Sequence, residues 1–137
     1  INPQFNLAVS LHATNDEIRN NIMKINKKWN ISELLKACKY YTEKTNKSIL
    51  FEYIMINNLN DSNEDANKLA DLLKGIICKV DLIPANDSGQ EEFQMSSLEK
   101  INNFVNILRE RGIDASIRGT VGGDIKAACG QLRAEKQ

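Results

Sequence analysis

Cys129 is the residue of this sequence that is best suited to chemistry. Two alanines precede it and Gly130 follows, so main chain and substrate can approach its sulfur closely. A nucleophilic cysteine needs a nearby base or cation to form its thiolate, and the candidates close in sequence are Arg118, Lys126 and Arg133. The residue pattern equally allows Cys129 to be a small apolar residue that buries a helical turn.

Three polar residues lie in or just after predicted strands. His12 ends the first strand and could be a functional residue or a hydrogen-bonded structural one. Asn86 follows the third strand, and its amide could read a purine edge or cap a loop. Glu52 interrupts an apolar strand, so its carboxylate needs either a polar barrel interior or a salt bridge to a covering helix.

The other two cysteines, Cys38 and Cys78, are far in sequence from Cys129 and from each other. This spacing excludes every CxxC-type zinc or redox motif, and the single histidine makes a local zinc site unexpected. Cys38 falls on the apolar stripe of a predicted helix and Cys78 within a predicted strand. We therefore predict that both are small core residues and that the chain holds no metal.

Alternating strand and helix signals position these residues. The predicted strands cover residues 5–11, 48–56, 76–83 and 114–118. Helices are predicted after capping signals at Thr14, Asn30, Asp61 and Ser96. Pro84 is predicted to stop the third strand, and Gly112 to end the last helix.

Strands separated by helices indicate an α/β fold of parallel βα repeats with right-handed crossovers. Four such strands could form a small open sheet or half of a βα barrel. Both architectures bind ligands at the carboxyl ends of the strands.

The composition describes one globular unit. The chain has 137 residues, of which 42% are hydrophobic and 26% charged, with no net charge. Charge therefore neither supports nor excludes a nucleic-acid substrate. No apolar run is long enough to span a bilayer and no signal peptide is visible, which predicts a cytoplasmic protein without a membrane partner.

Several segments resemble the RlmN/Cfr family of radical-SAM rRNA adenine methyltransferases. They are residues 6–19 (NLAVSLHATNDEIR), 25–28 (INKK), 51–53 (FEY), 60–61 (ND), 78–80 (CKV), 82–84 (LIP), 124–125 (DI) and 127–132 (AACGQL). The matches run nearly end to end in the order that the family shows, which makes the resemblance highly specific.

The resemblance implies a partial, TIM-like (β/α) radical-SAM barrel, of which residues 1–137 would be a single fragment from the C-terminal half. In that family one S-adenosylmethionine methylates the cysteine that matches Cys129. A second is cleaved reductively at a 4Fe-4S cluster, and the resulting deoxyadenosyl radical takes hydrogen from the S-methyl group. The carbon radical then attacks carbon 2 of an adenine in 23S rRNA. The residues that would contact S-adenosylmethionine are Ser10, Leu11, His12 and Asn86.

Departures from the family pattern limit what the chain could do alone. The cluster motif CxxxCxxC and the second cysteine of the family are absent. The cluster ligands and the reductant would therefore lie outside this chain, and we expect it to be inactive alone and to self-associate through exposed strand edges. Lys24 replaces the usual proline, and residues 87–89 (DSG) and 120–124 (TVGGD) also depart from the pattern.

Two other functions stay open. One is methylation of carbon 8 of the same adenine, which confers antibiotic resistance. The other is a non-catalytic module that binds nucleoside or RNA. An upstream CxxxCxxC motif in the parent gene would favour an enzyme over a module, and transfer RNA is a further candidate substrate of the enzyme.

Overall fold

The computed structural model describes residues 7–23, 28–85 and 94–118. Strands and helices alternate along these residues, in the order β1 (Leu7–Ser10), α1 (Asp16–Ile22), α2 (Ile31–Thr45), β2 (Ile49–Met55), α3 (Asn63–Leu72), β3 (Cys78–Pro84), α4 (Leu98–Glu110) and β4 (Asp114–Ile117). None of the described helices is both long and apolar enough to cross a membrane.

The four strands form one parallel sheet in the order β1-β2-β3-β4. Helices α2, α3 and α4 pack on one face of it, because their buried residues join a single core with alternate residues of β2. In a βα barrel, neighbouring strands are consecutive in the sequence and the helices cover one face of the sheet. A doubly wound sheet has helices on both faces. The predicted α/β class is confirmed, and the winding is that of a partial barrel.

The core lies between the sheet and these helices. Phe51 and Tyr53 on β2 are fully buried, and the Tyr53 ring packs on Phe104 of α4 with centroids 5.2 Å apart. Side chains of a strand alternate between its two faces. Glu52 therefore points to the face opposite the helices, called the inner face below and defined by Ser10, Glu52, Asp81 and Ser116.

The predicted N-caps of three helices are wrong by one residue. The side chains that cap α1, α3 and α4 belong to Asn15, Ser62 and Ser97. The three residues predicted from the sequence make tertiary hydrogen bonds instead. Thr14 Oγ1 donates to Asp65 Oδ1 at 3.1 Å, and Ser96 Oγ donates to Asp61 Oδ2 at 2.7 Å.

Two other helix boundaries are confirmed. Asn30 caps α2 by accepting from the Glu33 N–H. Gly112 follows α4 with a φ of 83°, a left-handed conformation that glycine adopts without strain.

The third strand begins later and ends later than predicted. Ile76 lies in the turn after α3, where its N–H donates to the Leu73 carbonyl at 3.1 Å. Pro84 does not stop the strand before it, because it is the last residue of β3 and pairs with Met55. Proline is tolerated at a strand end, where few ladder hydrogen bonds remain to be made.

Candidate functional site

A row of four polar residues crosses the inner face of the sheet. Ser10, Glu52, Asp81 and Ser116 are register partners on β1, β2, β3 and β4. Ser10 Oγ donates to Glu52 Oε1 at 3.3 Å, and Ser116 Oγ donates to Asp81 Oδ1 at 3.2 Å. The inner face of the sheet is therefore polar along this row, whereas the opposite face packs against the apolar core.

Arg118 joins the two carboxylates of this row. Its Nη2 donates to Glu52 Oε2, and to Asp81 Oδ2 at 3.3 Å. The hydrogen bond from Arg118 is the main reason that the pKa of Glu52 is lowered, so Glu52 is ionised. Of the two partners that the sequence left open for Glu52, the structure shows the polar interior and not a covering helix.

His12 lies beyond the end of β1, at the carboxyl edge of the sheet. Its side chain is 7% exposed and its backbone has a φ of 62°. The Ile54 N–H donates to His12 Nδ1 at 3.0 Å. Burial lowers the pKa of His12 to about 4, so the ring is neutral at physiological pH. Because Nδ1 accepts, the proton is on Nε2, which has no acceptor among the described residues.

Asn60 fixes the backbone around His12. Its Nδ2 donates to the carbonyls of His12 at 2.8 Å and Ile54 at 2.6 Å, while its Oδ1 accepts from the Ile56 N–H. The Tyr53 hydroxyl donates to the Asn60 carbonyl at 2.6 Å. Asn60 is buried, and its amide therefore holds the ends of β1 and β2 in one arrangement.

Arg19 of α1 fixes the end of β1 from the other side. Its guanidinium is buried, with Nε donating to the Leu11 carbonyl and Nη2 to the Ser10 carbonyl, both at 2.9 Å. These charge-assisted bonds set the direction in which the chain leaves the strand.

The structure brings together only part of the predicted cofactor site. Ser10 and His12 lie at the carboxyl edge, but the Leu11 side chain is 0% exposed and belongs to the core. A contact of Leu11 with a ligand would have to use its main chain. Its N–H already donates to the main-chain carbonyl of Glu52, and its carbonyl accepts from Arg19. Asn86 and Cys129 lie outside the described residues.

Of the two cysteines that are described, Cys38 is a core residue as predicted, whereas Cys78 is only partly buried and packs against the core. Cys38 is buried on α2 and Cys78 is half-buried on β3. Burial raises the pKa of both thiols, that of Cys78 to about 11, so neither forms a thiolate readily. In the described ranges, no three His, Cys, Asp or Glu side chains come together as a metal site.

Sequence reasoning missed the roles of Asn60, Arg19 and Asp81, and treated Arg118 only as a cation for Cys129. One signal could have found the members of the polar row: Ser10, Glu52 and Asp81 each lie between two apolar residues of a predicted strand. Such a residue faces away from the side on which its apolar neighbours are buried, because side chains alternate along a strand. The contacts of Asn60 and Arg19 depend on tertiary structure and leave no such pattern.

Known proteins similar to this chain were found by sequence and by structure. A protein from Alkaliphilus oremlandii, described as a probable dual-specificity RNA methyltransferase RlmN, is 49% identical over 93% of this chain and 37% of its own length. Its counterpart in Clostridium tetani is 51% identical over 96% of this chain and 38% of its length. The chain thus spans little more than a third of these curated relatives. No family profile matches it.

Two solved structures are similar to the fold. A radical SAM methyltransferase from Sphaerobacter thermophilus superposes with a TM-score of 0.79 at 47% identity, over 91% of this chain and 37% of the other. A domain of a pyruvate-formate lyase-activating enzyme from Bacteroides vulgatus superposes with a TM-score of 0.65 over 82% of this chain. At 15% identity the second shows a common fold alone.

Proposed function

This chain belongs to the RlmN family of radical SAM methyltransferases, and we propose that residues 1–137 are the C-terminal part of the barrel of such an enzyme. The full-length enzyme would methylate carbon 2 of an adenine in 23S rRNA and would also act on transfer RNA. The relatives are named as probable dual-specificity RNA methyltransferases, and this name supports an RNA substrate. Such an enzyme would work in the cytoplasm.

The observation that carries the proposal is the buried, neutral His12 at the carboxyl edge of a barrel-type sheet. A hydrogen-bond donor that is buried without an acceptor costs free energy unless a ligand supplies one. Nε2 of His12 is such a donor among the described residues. It would donate to a nitrogen or oxygen of S-adenosylmethionine, while the Ser10 hydroxyl, whose proton goes to Glu52, would accept from the ligand.

S-adenosylmethionine, when bound, supplies the methyl group and, after reduction, the radical. Cys129 would receive the methyl group: its thiol loses a proton, its sulfur bonds to the methyl carbon, and the bond from that carbon to the sulfonium breaks. Asn86 would bind the adenine edge through its amide. Direct polar transfer of a methyl group to the RNA base is excluded because carbon 2 of adenine is not nucleophilic, so this carbon would have to be attacked by a radical.

The 4Fe-4S cluster does not fit the residues of this chain. Such clusters are held by cysteine thiolates, and of the three cysteines here Cys38 is buried in the core and Cys78 packs against it. Cluster ligands would therefore come from the remainder of the full-length enzyme, together with the site at which a reductant docks. We assign no step of the reaction to a cluster in this chain.

Peptide mass spectrometry of the full-length protein tests the proposal. After purification with S-adenosylmethionine, we expect a methyl group on the peptide that contains Cys129. Cys38 and Cys78 are internal controls and should stay unmodified, because burial disfavours their thiolates. A Cys129 that is never methylated would overturn the assignment.

Analysis of the modified nucleoside separates the candidate products. RNA treated with the full-length enzyme should yield 2-methyladenosine. Formation of 8-methyladenosine instead would identify the carbon-8 enzyme, and binding of RNA without any methylated nucleoside would identify a non-catalytic module.

A further inference from the structure

His12 takes an uncommon backbone conformation just after β1. Its φ of 62° lies in the left-handed region, which costs free energy at a residue other than glycine. This conformation places the imidazole beside β2, where Nδ1 accepts from the Ile54 N–H at 3.0 Å. The direction in which Nε2 points therefore depends on the groups that hold this backbone.

The buried side chain of Asn60 is one such group. Its Nδ2 donates to the His12 carbonyl at 2.8 Å and to the Ile54 carbonyl at 2.6 Å. His12 and Ile54 are thus joined twice, once through the imidazole and once through the amide of Asn60. Because Asn60 is 1% exposed, water does not readily replace these bonds when the amide is removed.

We propose that Asn60 is a positioning residue for the cofactor: its amide holds the left-handed backbone of His12 and thereby aims Nε2 at the ligand. This inference rests on the proposed function, in which Nε2 donates to S-adenosylmethionine. Asn60 is assigned no contact of its own with the cofactor. Both hydrogens of its amide are used by the two carbonyls, and its Oδ1 accepts from the Ile56 N–H.

A simpler role for Asn60 is to close the turn after β2. Its bonds to Ile54 and Ile56 join residues that are six and four apart in sequence, as expected for a turn. An asparagine that only closed the turn would need no further partner. The bond to the His12 carbonyl spans 48 residues, and it connects the turn to the carboxyl edge where the imidazole lies.

The two roles can be separated with the variants N60D, H12N and N60D/H12N in the full-length enzyme. N60D keeps the size of the side chain but turns a carboxylate toward two carbonyl oxygens, so the bond to His12 is lost. N60A removes the same bonds without this repulsion and replaces N60D if that variant does not fold. N58D is the matched control, because Asn58 is exposed in the same turn and its Oδ1 accepts from Lys100 Nζ, as a carboxylate also can.

Nitrogen NMR of the enzyme without cofactor reports the tautomer of His12, and the signal is assigned by its loss in H12N. We expect the wild type and N58D to show only the tautomer protonated at Nε2, because Nδ1 accepts from the Ile54 N–H. N60D should show a mixture of tautomers, because the released backbone lets the ring leave this N–H. A loss of stability alone would not change the tautomer of the folded enzyme.

Titration calorimetry with S-adenosylmethionine tests the consequence for binding. We expect N60D and H12N each to bind about three- to tenfold more weakly than the wild type, the range that one hydrogen bond contributes. N60D/H12N should bind no more weakly than H12N, because two residues that act through one contact are not additive. S96A loses its bond to the buried Asp61 carboxylate, so it should melt at a lower temperature and still bind like the wild type.

A single tautomer in N60D, a normal affinity in N60D, or a further loss of affinity in N60D/H12N would each overturn the positioning role. The proposed function fails in a different way. If the wild type does not bind S-adenosylmethionine, or if H12N binds it as tightly as the wild type, His12 is not a cofactor contact. The NMR measurement is independent of this outcome, because it needs no cofactor.

Discussion

At the scale of single residues, the carboxyl edge of the sheet is organised around one imidazole. His12 accepts from the Ile54 N–H, and its own carbonyl accepts from Asn60. A left-handed backbone at a residue other than glycine costs free energy, and it persists here because these bonds hold it. The result is a neutral ring whose tautomer is fixed before any ligand binds.

The buried imidazole predicts a specific loss of stability in acid. Burial lowers the pKa of His12 from 6.5 to about 4 in the folded chain, whereas the unfolded chain titrates near 6.5. Between these values the unfolded chain binds more protons, so the free energy of unfolding falls as the pH is lowered from 6.5 to 4. The full effect is roughly 3 kcal/mol, and above pH 6.5 the contribution is constant.

Denaturant unfolding of the wild type and His12→Asn at pH 7 and pH 4.5 measures this effect. Asparagine tolerates a positive φ and does not titrate. We expect the wild type to lose about 2 kcal/mol more than the variant between the two pH values. Since His12 is the only histidine, its NMR signal reports the titration directly. Equal losses, or an imidazole shift that titrates near 6.5, would contradict the prediction.

At the scale of elements, the helix starts show what the sequence can and cannot predict. Capping signals correctly indicated that helices begin near Thr14, Asp61 and Ser96, but each is followed by a second polar residue that makes the cap. The choice between the two depends on tertiary contacts, such as the Ser96–Asp61 bond, which joins residues 35 apart in sequence. Local spacing carries no record of such a contact.

We therefore expect substitutions of Ser96 and Ser97 to lower the free energy of unfolding by different amounts. Ser97→Ala should lower the free energy of unfolding by about 1 kcal/mol, because α4 loses its N-cap. Ser96→Ala should cost more, about 1 to 3 kcal/mol, because the buried Asp61 carboxylate loses a hydrogen-bond donor. Denaturant midpoints of the two variants measure both costs. A neutral Ser97→Ala would contradict the role of Ser97 as the N-cap of α4.

The strands were more predictable than the site that they carry. All four were located from the sequence, and β2 most clearly, because burial on a sheet selects β-branched and aromatic residues along the whole strand. The polar row depends on register, which sets Glu52 beside Asp81. Register follows from pairing between strands that are far apart in sequence, so the interpretation of Glu52 stayed open until the structure placed Arg118 beside it.

At the scale of the whole molecule, the described sheet has two open edges. A closed barrel has none, because each strand pairs on both sides. Here β1 and β4 each pair on one side only within the described residues. The two edge strands differ in how well they are protected against pairing with another chain. β1 has the sequence LAVS, which carries no charge and exposes Leu7 and Ala8. β4 begins with the charged Asp114.

An unprotected apolar edge predicts self-association of the 137-residue chain through β1. Exposed N–H and carbonyl groups of an edge strand pair readily with a second copy, and charged side chains prevent it. We expect sedimentation velocity to show dimers or larger species that increase as the concentration is raised from micromolar to millimolar.

Ala8→Lys places a charge on this edge and should keep the chain monomeric. Asn106→Lys adds the same charge on the exposed surface of α4 and should leave association unchanged. A wild type that stays monomeric throughout, or a control that dissociates as Ala8→Lys does, would show that β1 is not the associating edge.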